Sequence, residues 1–188
     1  MKHLPPLVLL ALLSACKPAE QAPTPSSAPP ALDTAPAPAS SYPPVQPIEP
    51  GKPGGLPDDR TPISEAPFTA TSAQGAADVV QHYFAYLEAG KIAEAYALWS
   101  GGSPDRPSNL DALKQRQAAY LEYHAQVGAP GQSEGAAGSI YIDVPVQVYG
   151  RAKDGKEVHV LGKVTLRRVN DVPGSTAEQR LWRIQSAP

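Results

Sequence analysis

Fifteen of the chain's 23 prolines fall between Lys17 and Pro67, in a stretch of 51 residues otherwise rich in Ala, Ser and Thr. Proline fixes φ and removes a backbone donor, so neither a helix nor an interior strand can run through such a segment. Its one aromatic residue is Tyr42. That is too little apolar surface to offset chain entropy, and an extended, polyproline-like tether is expected over residues 16–68. At ~3.1 Å per residue its ceiling is on the order of 150 Å. A Pro-rich tract can also serve as a ligand for aromatic-lined grooves, but spacing is sufficient reason for this one. Folding is therefore confined to residues 69–188, the usual size of one domain. Both Trp and seven of the eight Tyr lie there.

Within that domain hydrophobic period changes once. Ala76, Val80, Tyr83, Phe84 and Leu87 recur at helical spacing after Thr71-x-x-Gln74, which has the form of a capping box, and Gly90 is a natural stop. A shorter helix carries Ile92, Ala95, Tyr96 and Trp99 and ends at Gly101-Gly102-Ser103-Pro104. A third begins near Ser108, with Asp111 in its first turn and Leu110, Leu113, Gln117 and Leu121 as its stripe. Residues 123–133 read as an irregular edge strand, because Gly128, Pro130 and Gly131 interrupt the alternation.

Period two then takes over. Ile140, Ile142, Val144, Val146 and Val148 alternate with Tyr141, Asp143, Pro145, Gln147 and Tyr149, and a second run has Val158, Val160, Val164 and Leu166 at even positions. A two-residue Asp154-Gly155 turn would set Val144 and Val146 among Lys163 and His159. A three-residue loop, with Gly155 left-handed, pairs Val148 with Val160, Val144 with Val164 and Ile142 with Leu166. A one-residue slip flips every side chain, so the three-residue loop is expected. A last strand over 180–186, with Trp182 and Ile184 on one face, pairs with the strand before it. The fold class is α+β, with helices packed on a curved antiparallel sheet.

The run Tyr83-Phe84-x-x-Leu87-x-x-Gly90-Lys91-Ile92-x-x-Ala95-x-x-Leu98-Trp99, followed by a helix and a long hairpin sheet, resembles the opening of NTF2-like (SnoaL-like) domains. The resemblance covers residues 69–188 and rests on order and pattern. It implies a cone in which a bent sheet wraps the first helix, often with a pocket at the open end. It implies no single activity, since function resides in sites grafted on folds.

The N-terminus carries a separate signal. Lys2 and His3 precede an unbroken apolar run, Leu7 to Leu13, and small residues follow, as in an export signal over 1–15. Seven residues rise only ~10 Å as a helix against ~30 Å of hydrocarbon, too short to span a bilayer. Leu13-Ser14-Ala15-Cys16, which contains the chain's single cysteine, resembles the lipobox of bacterial lipoproteins at every position. That resemblance implies a thioether-linked diacylglycerol on Cys16, cleavage before it, and acylation of the new N-terminus. One acyl chain anchors marginally and several anchor durably. Lys17 stands where an Asp would favour inner-membrane retention, so the expectation is an outer-membrane anchor facing the periplasm.

Twelve Lys and Arg balance twelve Asp and Glu in residues 69–188, which leaves no basic excess for nucleic acid. No phosphate loop, nucleophile elbow or His-Glu-x-x-His pattern occurs. His82, His124 and His159 are not at ligand spacing and have no Cys beside them, so neither a metal nor another cofactor is expected. Asp143, with Tyr141 and Tyr149 on its face and His124 as a neighbour, is the candidate catalytic carboxylate. The register instead places it opposite Thr165 and diagonal to Lys163 and Arg167, as a cross-strand ion pair away from the Ile/Val row. The expectation leans away from an enzyme. It favours an envelope-anchored binding module that meets a protein partner, or its own copy, through Tyr141, Asp143, Tyr149 and Arg167. A small-molecule carrier or enzyme using the cone, and a plain spacer, are the alternatives.

Overall fold

The computed structural model describes residues 42–58 and 68–188. The expected export signal, Cys16 and residues 17–41 and 59–67 of the expected tether lie outside the described residues. Helix α1 spans Ala73–Glu88, and Ser72, one residue past the expected Thr71, caps it. The Ser72 hydroxyl donates to Thr69 O at 2.8 Å and accepts from Gly75 N–H at 3.1 Å. A Cβ at Gly75 would lie 2.5 Å from Thr69 O, so the glycine permits this tight entry and displaces the cap. At the other end Gly90 is left-handed (φ 70°), with Lys91 N–H bonded to Tyr86 O at 2.8 Å. This is a Schellman closure.

Helices α2 (Ile92–Ala97) and α3 (Leu110–Gln117) follow. Trp99 falls beyond α2, and Asn109 rather than Ser108 caps α3, accepting from Ala112 N–H at 2.8 Å. Leu121, expected on the α3 stripe, belongs instead to the first strand and is 59% exposed.

Five strands form one antiparallel sheet: β1 (Tyr120–Val127), β2 (Glu134–Ala136), β3 (Ser139–Ala152), β4 (Glu157–Val169) and β5 (Arg183–Ser186). Their order is β1-β3-β4-β5, and β2 also pairs with β3. The edge strand thus begins three residues before the expected Tyr123, and Gly128 and Gly131 then continue along β3 through bonds to Pro145 O and Asp143 O. Three-residue β2 is too short to leave a periodic trace. Ile142 faces Leu166, Val144 faces Val164 and Val148 faces Val160, the register of the three-residue loop, with Gly155 at φ 87°. Strand β5 joins β4 through Leu166 and Ile184. Its far edge is occupied, because Ser100 N–H bonds Ile184 O at 2.8 Å and Ile184 N–H bonds Leu98 O at 2.9 Å.

The core lies between one sheet face and the helices. Ile142, Val144, Val146, Val148, Val164, Leu166 and Ile184 are buried against Val80, Tyr83, Phe84, Leu87, Trp99 and Trp182. Each fully buried aliphatic or Phe side chain there contributes about 1.5–3 kcal/mol. Trp182 Nε1 donates to Ser72 O at 2.8 Å, tying the start of β5 to the start of α1.

The opposite sheet face carries a layer not expected from sequence. Residues 42–58, read as part of the tether, lie on it as a strap with Val45 and Leu56 buried. Carbonyls of the strap without a partner in their own segment find donors on the sheet. Gln147 Nε2 reaches Gly54 O at 3.0 Å and Arg151 Nη2 reaches Pro43 O at 3.0 Å. Val45 N–H in turn donates to Glu122 Oε1 at 3.0 Å. The strap also folds on itself: Gly51 N–H bonds Leu56 O at 2.8 Å, and a Cβ at Gly55 would lie 2.2 Å from Glu49 O. Composition argued against packing here; two apolar anchors and a few polar contacts reverse it for this segment.

Candidate binding face

The outer sheet face is built from the residues that alternate with the core row. On β3 these are Tyr141, Asp143, Pro145, Gln147, Tyr149 and Arg151; on β4 they are Lys163, Thr165 and Arg167. Register alone places them, since Asp143 opposes Thr165, Pro145 opposes Lys163 and Tyr141 opposes Arg167. The strap divides this face in two.

The covered half lies toward the β3–β4 turn. Gln147 is fully buried and Arg151 nearly so. The Arg151 guanidinium donates to Gly155 O at 3.0 Å and Pro43 O at 3.0 Å, meets Glu157 at 3.3 Å, and lies 4.7 Å from the centre of the Tyr42 ring. One guanidinium therefore joins the strap, the hairpin turn and β4. Tyr149 stands between these two covered residues, its ring 5.4 Å from that of His124. Burial, then the nearby Glu88 and Glu122 carboxylates, raise the Tyr149 pKa above its ordinary value, so the phenol stays protonated. His124 Nδ1 lies 2.6 Å from Glu88 and Nε2 lies 3.3 Å from Glu122, joining α1 to β1. Tyr149 thus stands at the β1 side of the outer face beside His124, half-buried as Asp143 is.

The open half surrounds a hollow of about 420 Å³ lined by Gln132, Glu134, Tyr141, Asp143, Lys163 and Thr165. Asp143 Oδ2 accepts from Lys163 Nζ at 2.5 Å and Oδ1 accepts from Thr165 Oγ1 at 2.6 Å. Burial alone would raise the Asp143 pKa; the Lys163 ammonium and Thr165 hydroxyl together hold it below the ordinary carboxylate value. Both oxygens are engaged by cross-strand partners, the arrangement the register argument anticipated. Arg167 lies across from Tyr141 on the same face. Tyr141, Asp143 and Arg167 are brought together, while Tyr149 stands apart beside His124 of β1.

On the inner face burial raises the pKa values of Tyr83 and Tyr123. Arg168, on the same row, lies 5.0 Å over the Trp182 ring. It borders a cleft of about 330 Å³ shared with Trp99, Arg167, Leu181 and Arg183. Among the described residues no group of three or more His, Cys, Asp or Glu could hold a metal ion. Sequence reasoning missed Gln147 and Arg151. Their outward position was legible from the alternation; their occupant was not, because a Pro-rich segment carries no period to mark a packed face.

No family model and no curated protein matches this sequence. Solved structures resemble it in fold. A candidate aromatic ring hydroxylase from Novosphingobium aromaticivorans is 10% identical, with 64% of this chain and 88% of that one covered and a TM-score of 0.47. A candidate dehydratase of the NTF2-like family from Streptomyces avermitilis is 12% identical over 63% and 94%, with a TM-score of 0.44. An NTF2-like superfamily protein from Salmonella enterica serovar Typhimurium is 12% identical over 63% and 89%, with a TM-score of 0.45. At these identities the likeness concerns the fold, and the activities named belong to those proteins.

Proposed function

We propose that this chain is a lipid-anchored envelope protein whose α+β domain is a docking module. Cys16 carries the anchor at the periplasmic side of the outer membrane. The open half of the outer sheet face, Tyr141, Asp143, Lys163 and Arg167, meets another protein or a second copy of the chain. The observation that carries the non-catalytic reading is the state of Asp143. Its carboxylate is spent on Lys163 and Thr165 at the surface, whereas general acid–base work needs a positioned and available group. The anchor reading rests on the sequence Leu13-Ser14-Ala15-Cys16.

A small-molecule enzyme or carrier would need room between the sheet and α1. Tyr83, Phe84, Trp99, Val144 and Leu166 fill that space, which weighs against it. Two measurements test the proposal. Intact mass of the chain recovered from membranes should show a diacylglyceryl, N-acylated Cys16; an unmodified, freely secreted product overturns the anchor. Sedimentation and capture from envelope extract should show a partner or self-association that Tyr141→Ala with Arg167→Ala removes. A monomer that recovers nothing in either form overturns the docking role.

A further inference from the structure

We propose that the end of the domain formed by the β3–β4 turn and the last turn of α3 is the face laid against an anionic bilayer, and that the strap holds it there. This rests on the Cys16 anchor. Had residues 16–68 all been free, the domain would hang from the start of α1. The strap instead fixes the chain at Tyr42 and Pro43, against Arg151 and beside Gly155 of the hairpin turn. Only residues 17–41, 25 in number, then separate the acylated cysteine from the domain. These residues reach at most ~80 Å, roughly half the ceiling for the whole of residues 16–68.

The surface at this attachment point suits the partner. Lys153 N–H bonds Ala119 O at 2.9 Å, which sets the hairpin turn beside the end of α3. Lys114 and Arg116 lie in the last turn of that helix, and Lys153 and Lys156 lie in or beside the hairpin turn, all exposed. Two cations here are paired, Arg151 with Glu157 and Lys156 with Asp154, and Glu122 is taken by Val45 N–H and His124. Lys114, Arg116, Arg151, Lys153 and Lys156 together still outnumber these three carboxylates, five to three. Leu121 adds an apolar side chain that is more than half exposed, at the start of β1. The chain as a whole has a formal charge of −2, so this cationic end is a local departure from its balance. Lys and Arg within a Debye length of an anionic leaflet are drawn to it, and a shorter tether attached at this end brings them into that range more often than one attached at the start of α1.

The test uses the full mature chain with a hexahistidine tag in place of Cys16, held on vesicles through a nickel-chelating lipid. The geometry is then examined whether or not cells acylate Cys16; the mass of the cellular product reports on acylation separately. Lysine acetylation rates are compared on vesicles containing phosphatidylglycerol and on phosphatidylcholine alone. Lys114, Lys153 and Lys156 should react at least three-fold more slowly on the anionic vesicles, while Lys163, on the far half of the outer face, is unchanged. Lys153→Glu with Lys156→Glu should remove the protection of Lys114, as should ~0.5 M salt. Arg151→Ala, which frees the strap, should weaken the protection. Equal rates on both vesicles, or equal protection of Lys163, would overturn the orientation. Unchanged protection in Arg151→Ala would overturn the strap's part in it.

Discussion

At the scale of single residues, the most constrained position on the sheet is Gly150. A Cβ there would lie 2.0 Å from Glu122 O, beside the register shift between Tyr120 and Glu122 where β1 bends. Gly150→Ala must push the two strands apart, at a cost of about 2–3 kcal/mol. Urea unfolding should show a lower midpoint at unchanged slope. Asp143 is a milder case. Its folded pKa is depressed, so the pair stabilises the protein above the unfolded carboxylate value of 3.8 and the contribution is lost as pH falls through the folded value. Both partners are more than two-fifths exposed, which limits the effect to a few tenths of a kcal/mol. Asp143→Asn should therefore change stability by less than about 1 kcal/mol at pH 7 and remove only a small part of the acid dependence. A large loss of stability at pH 7 would show that Asp143 does more than pair.

At the scale of elements, strap and hairpin differ in how sequence encodes them. The hairpin could be registered from sequence because alternating Ile and Val on β3 and Val and Leu on β4 tolerate only one loop length, and the pairing of Val144 with Val164 follows. The strap has no such code. Val45 and Leu56 stand eleven residues apart among prolines, and their burial depends on a surface assembled from β1 and β3. Truncating a buried Leu in a fixed core costs about 2–5 kcal/mol, but here the loss is capped by the free energy of docking the strap. Leu56→Ala should lower global stability by at most about 2 kcal/mol and greatly speed proteolysis within residues 42–58. Arg151→Ala should produce the same local opening with the helices and sheet intact by circular dichroism. If proteolysis of the segment is unchanged in both variants, the strap is not held by these contacts.

At the scale of the whole molecule, α1, the sheet and both Trp residues share one core, so they should unfold together. Trp emission and far-ultraviolet circular dichroism should give coincident urea transitions, while strap release, followed by proteolysis, should come at lower denaturant. Separate Trp and dichroism midpoints would divide the domain. Sequence alone determined the helix–sheet order, the inward row from Ile142 to Val148, the loop length and the outward placement of Asp143. All of these follow from local periodicity and from the short-range sterics of Gly and Pro. The folded structure decided the cap at Ser72, the short pairing of β2 and the docking of residues 42–58. The first two are local but leave no period to read, resting on Thr69 and Gly75 around Ser72 and on a three-residue pairing across the Ala137-Gly138 turn. The docking of residues 42–58 depends on segments far apart in the chain, Gly54 with Gln147 and Pro43 with Arg151, whose donors and acceptors meet only after the sheet has formed.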